Sequence, residues 1–125
     1  MKIKCGTDII EIQRIRDSIE RLGKKFIDKI FTMDEVAYCE SKGRQKFQHY
    51  AARFAAKEAA FKAISESLNN KYELDWKDYE VAYDHDSRPY LKIIGLKDNN
   101  IENIDISLSH CKEYAIACVT VLYRN

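Results

Sequence analysis

The sequence lacks several features that mark whole classes of protein. Its four cysteines, at positions 5, 39, 111 and 118, form no CxxC pair and no repeated metal-ligand spacing. This pattern indicates neither a zinc site nor a disulfide framework, and we expect reduced core cysteines. The N-terminus has no apolar segment of a signal peptide, and no run of about 18 apolar residues occurs. These absences predict a cytoplasmic protein without a membrane partner.

Net charge is also nearly absent. The 21 basic and 20 acidic residues give a formal charge of +1, so no overall attraction to nucleic acid is present and no nucleic-acid partner is expected. The charges are nevertheless unevenly distributed, because residues 1–65 carry 14 Lys and Arg against 9 Asp and Glu. A binding site for an anion is therefore expected in the first half of the chain.

Glycine and proline are scarce, with four and one in 125 residues, and no linker or repeat interrupts the chain. This predicts a single domain over residues 1–125. Residues 2–12 have the pattern of a strand, in which Gly6 would allow close approach of another backbone. Residues 13–31 predict an amphipathic helix that breaks or bends near Gly23. Thr32 and Glu35 form a capping box for a short helix that continues to Ser41.

The second half of the chain predicts strands. A long helix is expected over residues 45–68, followed by one hairpin, DYEVAY and YLKII, and by a second strand pair, ISLSH and YAIACVTVL. One strand, several helices and four further strands are typical of an α+β domain. We therefore predict a mainly antiparallel sheet packed against the long central helix.

Within that helix the segment RFAAKEAAFKA, residues 53–63, contains an unusual carboxylate. Glu58 follows Phe54 by four residues and precedes Phe61 by three, which places all three side chains on one helix face. A carboxylate in an aromatic stripe is costly unless it is paired or bound to a metal. The commoner alternative for this spacing is an exposed ion pair with Lys62, one turn further on, worth about 0.3 to 0.5 kcal/mol.

Asp8 is the natural second acid, because strand preferences disfavour a carboxylate in the middle of an apolar, β-branched segment. The alternative is that Asp8 caps a bend or faces water. Two oxygen donors on separate elements suit Mg²⁺, which usually takes one or two carboxylates together with substrate phosphates and waters. Cations that could accompany a phosphate surround Glu58 in the sequence: Arg44, Lys46, His49, Arg53, Lys57 and Lys62.

Four segments together resemble a known family. GTDIIEIQRI, RFAAKEAAFKA, RPYL and ISLSH occur in the order and spacing of the holo-acyl-carrier-protein synthases, the short trimeric type of 4'-phosphopantetheinyl transferase. The resemblance implies Mg²⁺-dependent transfer of 4'-phosphopantetheine from coenzyme A to a serine of apo acyl carrier protein, with release of adenosine 3',5'-bisphosphate. It implies Asp8 and Glu58 as metal ligands, and these two acids with Lys62 as the catalytic group. The coenzyme A contacts that it implies are Arg44, Lys46, Arg53, Lys62, Arg88, Pro89 and His110.

The resemblance also implies a homotrimer with sites between subunits, and an acidic carrier protein as partner. Arg14 and Arg21, seven residues apart on a basic helix face, are the expected docking contacts, although such a face can equally be an ordinary solvated surface. The chain departs from the family pattern at Ser87, where glycine is common, and at Thr7, where an aliphatic residue is usual. Two alternative functions remain open: another Mg²⁺-dependent phosphoryl or pyrophosphate enzyme, and a nonenzymatic oligomeric binding domain.

Overall fold

The computed structural model describes residues 1–98 and 100–125, and it confirms the predicted α+β class. None of the helices in these ranges is both long enough and apolar enough to cross a membrane. The regular elements follow one another as β1 (Lys2–Glu11), α1 (Ile12–Leu22), α2 (Lys24–Ile30), α3 (Met33–Glu40), α4 (Lys46–Ile64), β2 (Tyr79–Tyr83), β3 (Pro89–Ile93), β4 (Ile101–His110) and β5 (Tyr114–Tyr123). Short 3₁₀ turns flank α4 and precede β2.

The helix boundaries have the local causes that the sequence indicates. Gly23 lies between α1 and α2 with a φ of 60°, and its N–H donates to the Ile19 carbonyl, so the predicted break occurs at this residue. Thr32 caps α3 with the predicted box. Its hydroxyl accepts a hydrogen bond from the Glu35 N–H at 3.2 Å, and the Glu35 carboxylate accepts one from the Thr32 N–H at 3.0 Å.

The strands form two antiparallel sheets. β1, β5 and β4 make a three-stranded sheet in that order, and β2 with β3 makes a separate hairpin. The long helix α4 packs on the inner face of the larger sheet, where its alanines meet the buried side chains of β5. The predicted helix over residues 45–68 is therefore shorter as an α-helix, because 3₁₀ turns replace its first and last residues.

Close contact between β1 and α4 depends on Gly6. A Cβ atom added to this residue would lie 2.0 Å from the Ala59 carbonyl oxygen and 2.8 Å from the Ala63 nitrogen. The prediction of a close backbone approach at Gly6 is thus confirmed. Asp8 lies two residues further along β1, on the same face, and is thereby held against the side of α4 that carries Glu58.

Nothing in residues 1–98 and 100–125 covers the outer face of the larger sheet. Ile3 and Ile9 of β1 are 67% and 61% exposed, and Ile116 of β5 lies beside Ile9 in register.

Cys5 is exposed on this face, with its Sγ 3.5 Å from that of Cys118. The expectation that the cysteines lie in the core is correct for Cys39 and wrong for Cys5 and Cys111, because odd-numbered residues of β1 point away from α4 and Cys111 follows β4 in a turn.

Candidate active site

Asp8 and Glu58 lie beside each other where β1 crosses α4. Both are half-buried, and both line a cavity of about 290 Å³. Apolar side chains of β1, α1 and α4 form most of its wall, and Arg14 contributes a cation. The two acids that the sequence places 50 residues apart therefore converge on one small cavity.

The electrostatics of this pair favour a cation. Burial raises the pKa of the Glu58 carboxyl above its ordinary 4.5, and the negative charge of Asp8 raises it further. Lys62 acts in the opposite direction and lowers the same pKa. A cation bound between the two carboxylates would remove the repulsion that disfavours the ionised form of Glu58.

Lys62 pairs with Asp8, one of the two acids. Its ammonium group lies 3.3 Å from Asp8 Oδ1 and donates a hydrogen bond of 2.9 Å to the Thr7 carbonyl. Among the described residues it forms no ion pair within 4.0 Å with Glu58, so the simple helix-surface pair is not what the structure contains. Asp8, Glu58 and Lys62 are thus brought together as predicted.

The donor set fits a hard divalent cation. No group of three or more His, Cys, Asp and Glu side chains within residues 1–98 and 100–125 could enclose a metal by itself. Asp8 and Glu58 supply carboxylate oxygens only, which leaves the other ligand positions to water and phosphate. This is the pattern that Mg²⁺ adopts with phosphate substrates, so these two residues would hold it.

A second and larger cavity, of about 420 Å³, borders Glu58 on the opposite side. Its walls include Phe61 on α4 and Leu74, Trp76 and Tyr79 from the segment that leads into β2. The Trp76 ring, which lines this cavity, stacks at a centroid distance of 5.0 Å on Phe54, which lines the cavity of the two acids. Sequence reasoning missed this cavity, although the aromatic residues of an otherwise polar segment were its signal.

The cations predicted for the nucleotide phosphates lie elsewhere. Arg44 and Lys46 stand at the start of α4, and Lys46 pairs with Glu40 at 3.4 Å. Twelve residues separate Lys46 from Glu58, which at 1.5 Å per residue is roughly 18 Å along the helix axis. One chain therefore does not gather these cations around the two acids.

His110 ends β4 near the same end of α4. Its ring centroid is 5.8 Å from that of His49. Burial, together with the charges of Arg53 and His110, lowers the pKa of His49 to about 4. His49 is consequently neutral at neutral pH, and its ring packs edge-on against that of the exposed His110 without adding charge.

Arg53 is buried instead of exposed. Its side chain is 1% exposed and stacks on Tyr38, with the guanidinium carbon 4.3 Å from the ring centroid. It donates to the His49 carbonyl at 3.1 Å and to the Tyr83 hydroxyl at 3.0 Å, and its Nε has no partner within the described residues. As a phosphate ligand Arg53 stays a prediction, and the observed contacts give it the role of joining α3, α4 and β2.

Lys57, another of the cations that the sequence offered for a phosphate, is also buried. Its ammonium group pairs with Glu35 at 2.7 Å and donates to the Trp76 carbonyl at 3.1 Å and to the Tyr79 carbonyl. The other oxygen of Glu35 accepts the Val81 N–H at 3.0 Å. This fully paired cluster fixes α3, α4 and β2 behind the larger cavity.

Arg88 and Pro89 lie on the β2–β3 hairpin and line neither cavity at Glu58. Ser87 has a φ of 61°, the left-handed conformation that glycine adopts readily, so the turn keeps the glycine-type backbone despite the substitution. The Asp84 carboxylate stabilises it by accepting the Arg88 and Asp86 N–H groups.

Arg14 and Arg21 are both exposed on α1. Arg14 lines the cavity of the two acids, whereas Arg21 lies two turns away at the end of the helix. The predicted docking face is therefore continuous with the site.

Comparisons with known proteins show the family of the chain. The model of the 4'-phosphopantetheinyl transferase superfamily matches residues 4–119. The chain is 40% identical over 126 residues to a holo-[acyl-carrier-protein] synthase of Ruminiclostridium cellulolyticum, covering 97% of this chain and 92% of that protein.

Solved structures show the same fold. The Bacillus anthracis holo-(acyl-carrier-protein) synthase in complex with CoA (3',5'-ADP) is 31% identical, with a TM-score of 0.77 over 98% of this chain and 96% of that chain. The Helicobacter pylori holo-[acyl-carrier-protein] synthase in complex with coenzyme A is 29% identical, with a TM-score of 0.81 over 94% and 99%. The chain therefore belongs to the 4'-phosphopantetheinyl transferase superfamily, among the holo-[acyl-carrier-protein] synthases.

Proposed function

We propose that this enzyme transfers 4'-phosphopantetheine from coenzyme A to a serine hydroxyl of apo acyl carrier protein, with Mg²⁺ held by Asp8 and Glu58. The observation that carries the proposal is the convergence of these acids and Lys62 at the crossing of β1 and α4. Among the alternatives from the sequence, a nonenzymatic binding domain does not account for two like charges side by side in a cavity, of which only Asp8 has an ion pair among the described residues.

In the proposed reaction the serine oxygen forms a bond to the phosphorus that carries the pantetheine. The bond from this phosphorus to the bridging oxygen breaks, the serine loses its proton, and adenosine 3',5'-bisphosphate leaves. Mg²⁺ supplies charge neutralisation on the diphosphate when it is bound. The serine proton would pass to a water held at the metal site, or to Glu58 through that water. Lys62 stabilises negative charge on the leaving phosphate.

We further propose that the complete site forms between subunits of a homotrimer. The separation of roughly 18 Å between Lys46 and Glu58 supports this, because the phosphates of one coenzyme A cannot contact both ends of the same helix. The uncovered outer face of the sheet, with Ile3, Ile9 and Ile116 exposed, offers apolar surface for assembly. In this arrangement Arg44, Lys46, Arg88, Pro89 and His110 of one chain complete a site whose acids come from its neighbour.

The carrier protein is proposed to dock on α1. Arg14 lies at the edge of the acid cavity, so an acidic partner bound there would bring its serine next to Asp8 and Glu58. Arg21 extends the same basic face toward the end of the helix. Contacts of this kind speed association by electrostatic attraction more than they alter the chemical step.

Mass spectrometry of apo carrier protein tests the proposed activity. Incubation with coenzyme A, Mg²⁺ and the enzyme is expected to add one phosphopantetheine to the carrier, and chelation of the metal to prevent the addition. A carrier in which the acceptor serine is replaced by alanine is the matched control. An unmodified carrier after prolonged incubation at micromolar enzyme would overturn the proposal.

A further inference from the structure

Two of the four cysteines, Cys5 and Cys118, lie in contact on the outer face of the larger sheet. Their Sγ atoms are 3.5 Å apart, although 113 residues separate them in the sequence. Cys5 is exposed and Cys118 is half-buried, and both point away from α4. The contact arises only because the first and last strands of the chain, β1 and β5, are neighbours in the sheet.

The strand register places this contact on a diagonal. Cys5 lies opposite Thr120, and Cys118 lies opposite Thr7, so the two sulfurs meet between neighbouring residue pairs. A disulfide has an S–S distance of about 2.05 Å, so the sulfurs must approach each other by about 1.5 Å to form one. Neither cysteine belongs to a core cluster, and rotation about the two Cα–Cβ bonds can supply this movement.

The other two cysteines are not arranged in this way. Cys39 is fully buried, and burial raises the pKa of its thiol to about 12, which makes it inert. Cys111 is exposed in the turn between β4 and β5, and within residues 1–98 and 100–125 its sulfur contacts no other thiol. The described part of the chain thus contains one dithiol and two isolated thiols.

We infer that Cys5 and Cys118 form a reversible dithiol–disulfide pair that crosslinks the first strand of the chain to the last. The oxidant is a small-molecule disulfide such as oxidised glutathione. The Cys5 thiolate attacks one of its sulfurs, a mixed disulfide forms, and one glutathione thiolate leaves. Cys118 then loses its proton to water and attacks Cys5 Sγ, and the second glutathione leaves. Two electrons pass from the protein to glutathione, which is reduced to two thiols.

The surroundings of the two sulfurs favour this order of events. Hydrogen bonding to Cys5 raises the pKa of the Cys118 thiol. A thiol that stays protonated is a poor nucleophile, so Cys118 reacts second, whereas Cys5 is the more exposed sulfur and meets the oxidant first. Low reactivity at the second thiol is compensated by its position, because the mixed disulfide forms 3.5 Å away from it.

The crosslink would act on the stability of the whole chain. It closes a loop of 113 residues, and a crosslink that closes a long loop restricts the unfolded chain strongly. The oxidised protein is therefore expected to melt roughly 10 °C above the reduced protein. The proposed homotrimer would cover this sheet face, so the reaction belongs to the separated chain and is expected to slow as the chains assemble.

Mass spectrometry after treatment with oxidised glutathione tests the inference. At nanomolar concentration the protein is expected to lose two hydrogen atoms, and peptide mapping without reductant should join the segments that contain Cys5 and Cys118. Dithiothreitol should restore both thiols. Cys111→Ser is the matched control and should form the same crosslink, whereas Cys5→Ser and Cys118→Ser should each prevent it.

Two results would overturn the inference. The first is a chain that carries only separate glutathione adducts, or that stays unmodified both at nanomolar concentration and during refolding from urea with oxidised glutathione, when separated chains are formed. The second is a crosslinked protein that melts at or below the temperature of the same sample after reduction. Neither measurement uses the transfer reaction, so both are independent of the proposed function.

Discussion

Replacement of Gly6 by alanine would test how the two acids are brought together. The added Cβ atom would lie 2.0 Å from the Ala59 carbonyl oxygen, whereas an ordinary contact requires at least 3.4 Å. β1 must therefore move away from α4 by about 1.4 Å, because the obstructing atoms belong to the backbone and have no rotamer to change. Asp8 is two residues away on the same strand face and moves with Gly6.

The displacement has two measurable results. Overpacking of this kind costs about 3 kcal/mol, which lowers the melting temperature of a domain of this size by roughly 10 °C. A misplacement of about 1 Å at a reacting group lowers kcat/KM about 100-fold. Calorimetry measures the first effect, and carrier modification at a temperature well below the new transition measures the second.

Cys5→Ala is the matched control, since residue 5 adjoins Gly6 but faces away from α4. We expect it to change stability by less than about 0.5 kcal/mol. If Gly6→Ala kept the wild-type melting temperature and the wild-type dependence on Mg²⁺, the close crossing of β1 and α4 would not be what sets the spacing of Asp8 and Glu58.

Four further predictions concern charge. Glu58→Gln is expected to abolish Mg²⁺-dependent binding of coenzyme A in calorimetry with little loss of stability, and unchanged binding would contradict the metal assignment. The pKa of Glu58 is raised in the folded protein, so its contribution to stability is present at low pH and is lost as the pH rises through the folded-state pKa. Binding of Mg²⁺ should oppose this loss of stability and should release protons. Calorimetry in two buffers of different ionisation enthalpy detects the proton release. Lys57→Met is expected to cost about 3 to 5 kcal/mol by leaving Glu35 charged and unpaired in the core, and addition of Glu35→Gln should restore part of the loss in chemical denaturation; no recovery would argue against the ion pair as the cause. Charge reversal at both Arg14 and Arg21 is expected to raise the KM for carrier about tenfold at low salt and to weaken its salt dependence, with kcat retained; an unchanged KM would remove the docking assignment.

The parts of the fold that depend on local chemistry could be predicted from the sequence. A capping box needs only Thr32 and Glu35 three residues apart, and the helix break needs only Gly23. The contact at Gly6 was also predictable, because a glycine in a strand often marks a close backbone approach. The convergence of Asp8 and Glu58 followed from asking why each acid stands among apolar residues.

Long-range burial could not be predicted in this way. Arg53 and Lys57 lie one turn apart in a segment rich in cations, and nothing local distinguishes a solvated cation from one that pairs with Glu35 or stacks on Tyr38. The signal was the alanine content of α4, since a helix whose small residues occur on every side is covered on every side. The cavity at Trp76 was missed because the segment before β2 has no regular periodicity.

The separation of Lys46 from Glu58 along α4 also determines how many active sites of the proposed trimer one variant subunit would inactivate. In that proposed trimer each chain would give its acids to one site and its cations to another, so a subunit that has lost both Lys46 and Glu58 would disable two of the three sites. A mixed trimer could instead contain chains that lack only Lys46 and chains that lack only Glu58. One intact site would then form where Glu58 of the first kind of chain meets Lys46 of the second. Mixed assemblies of two inactive variants would consequently recover part of the activity that neither has alone.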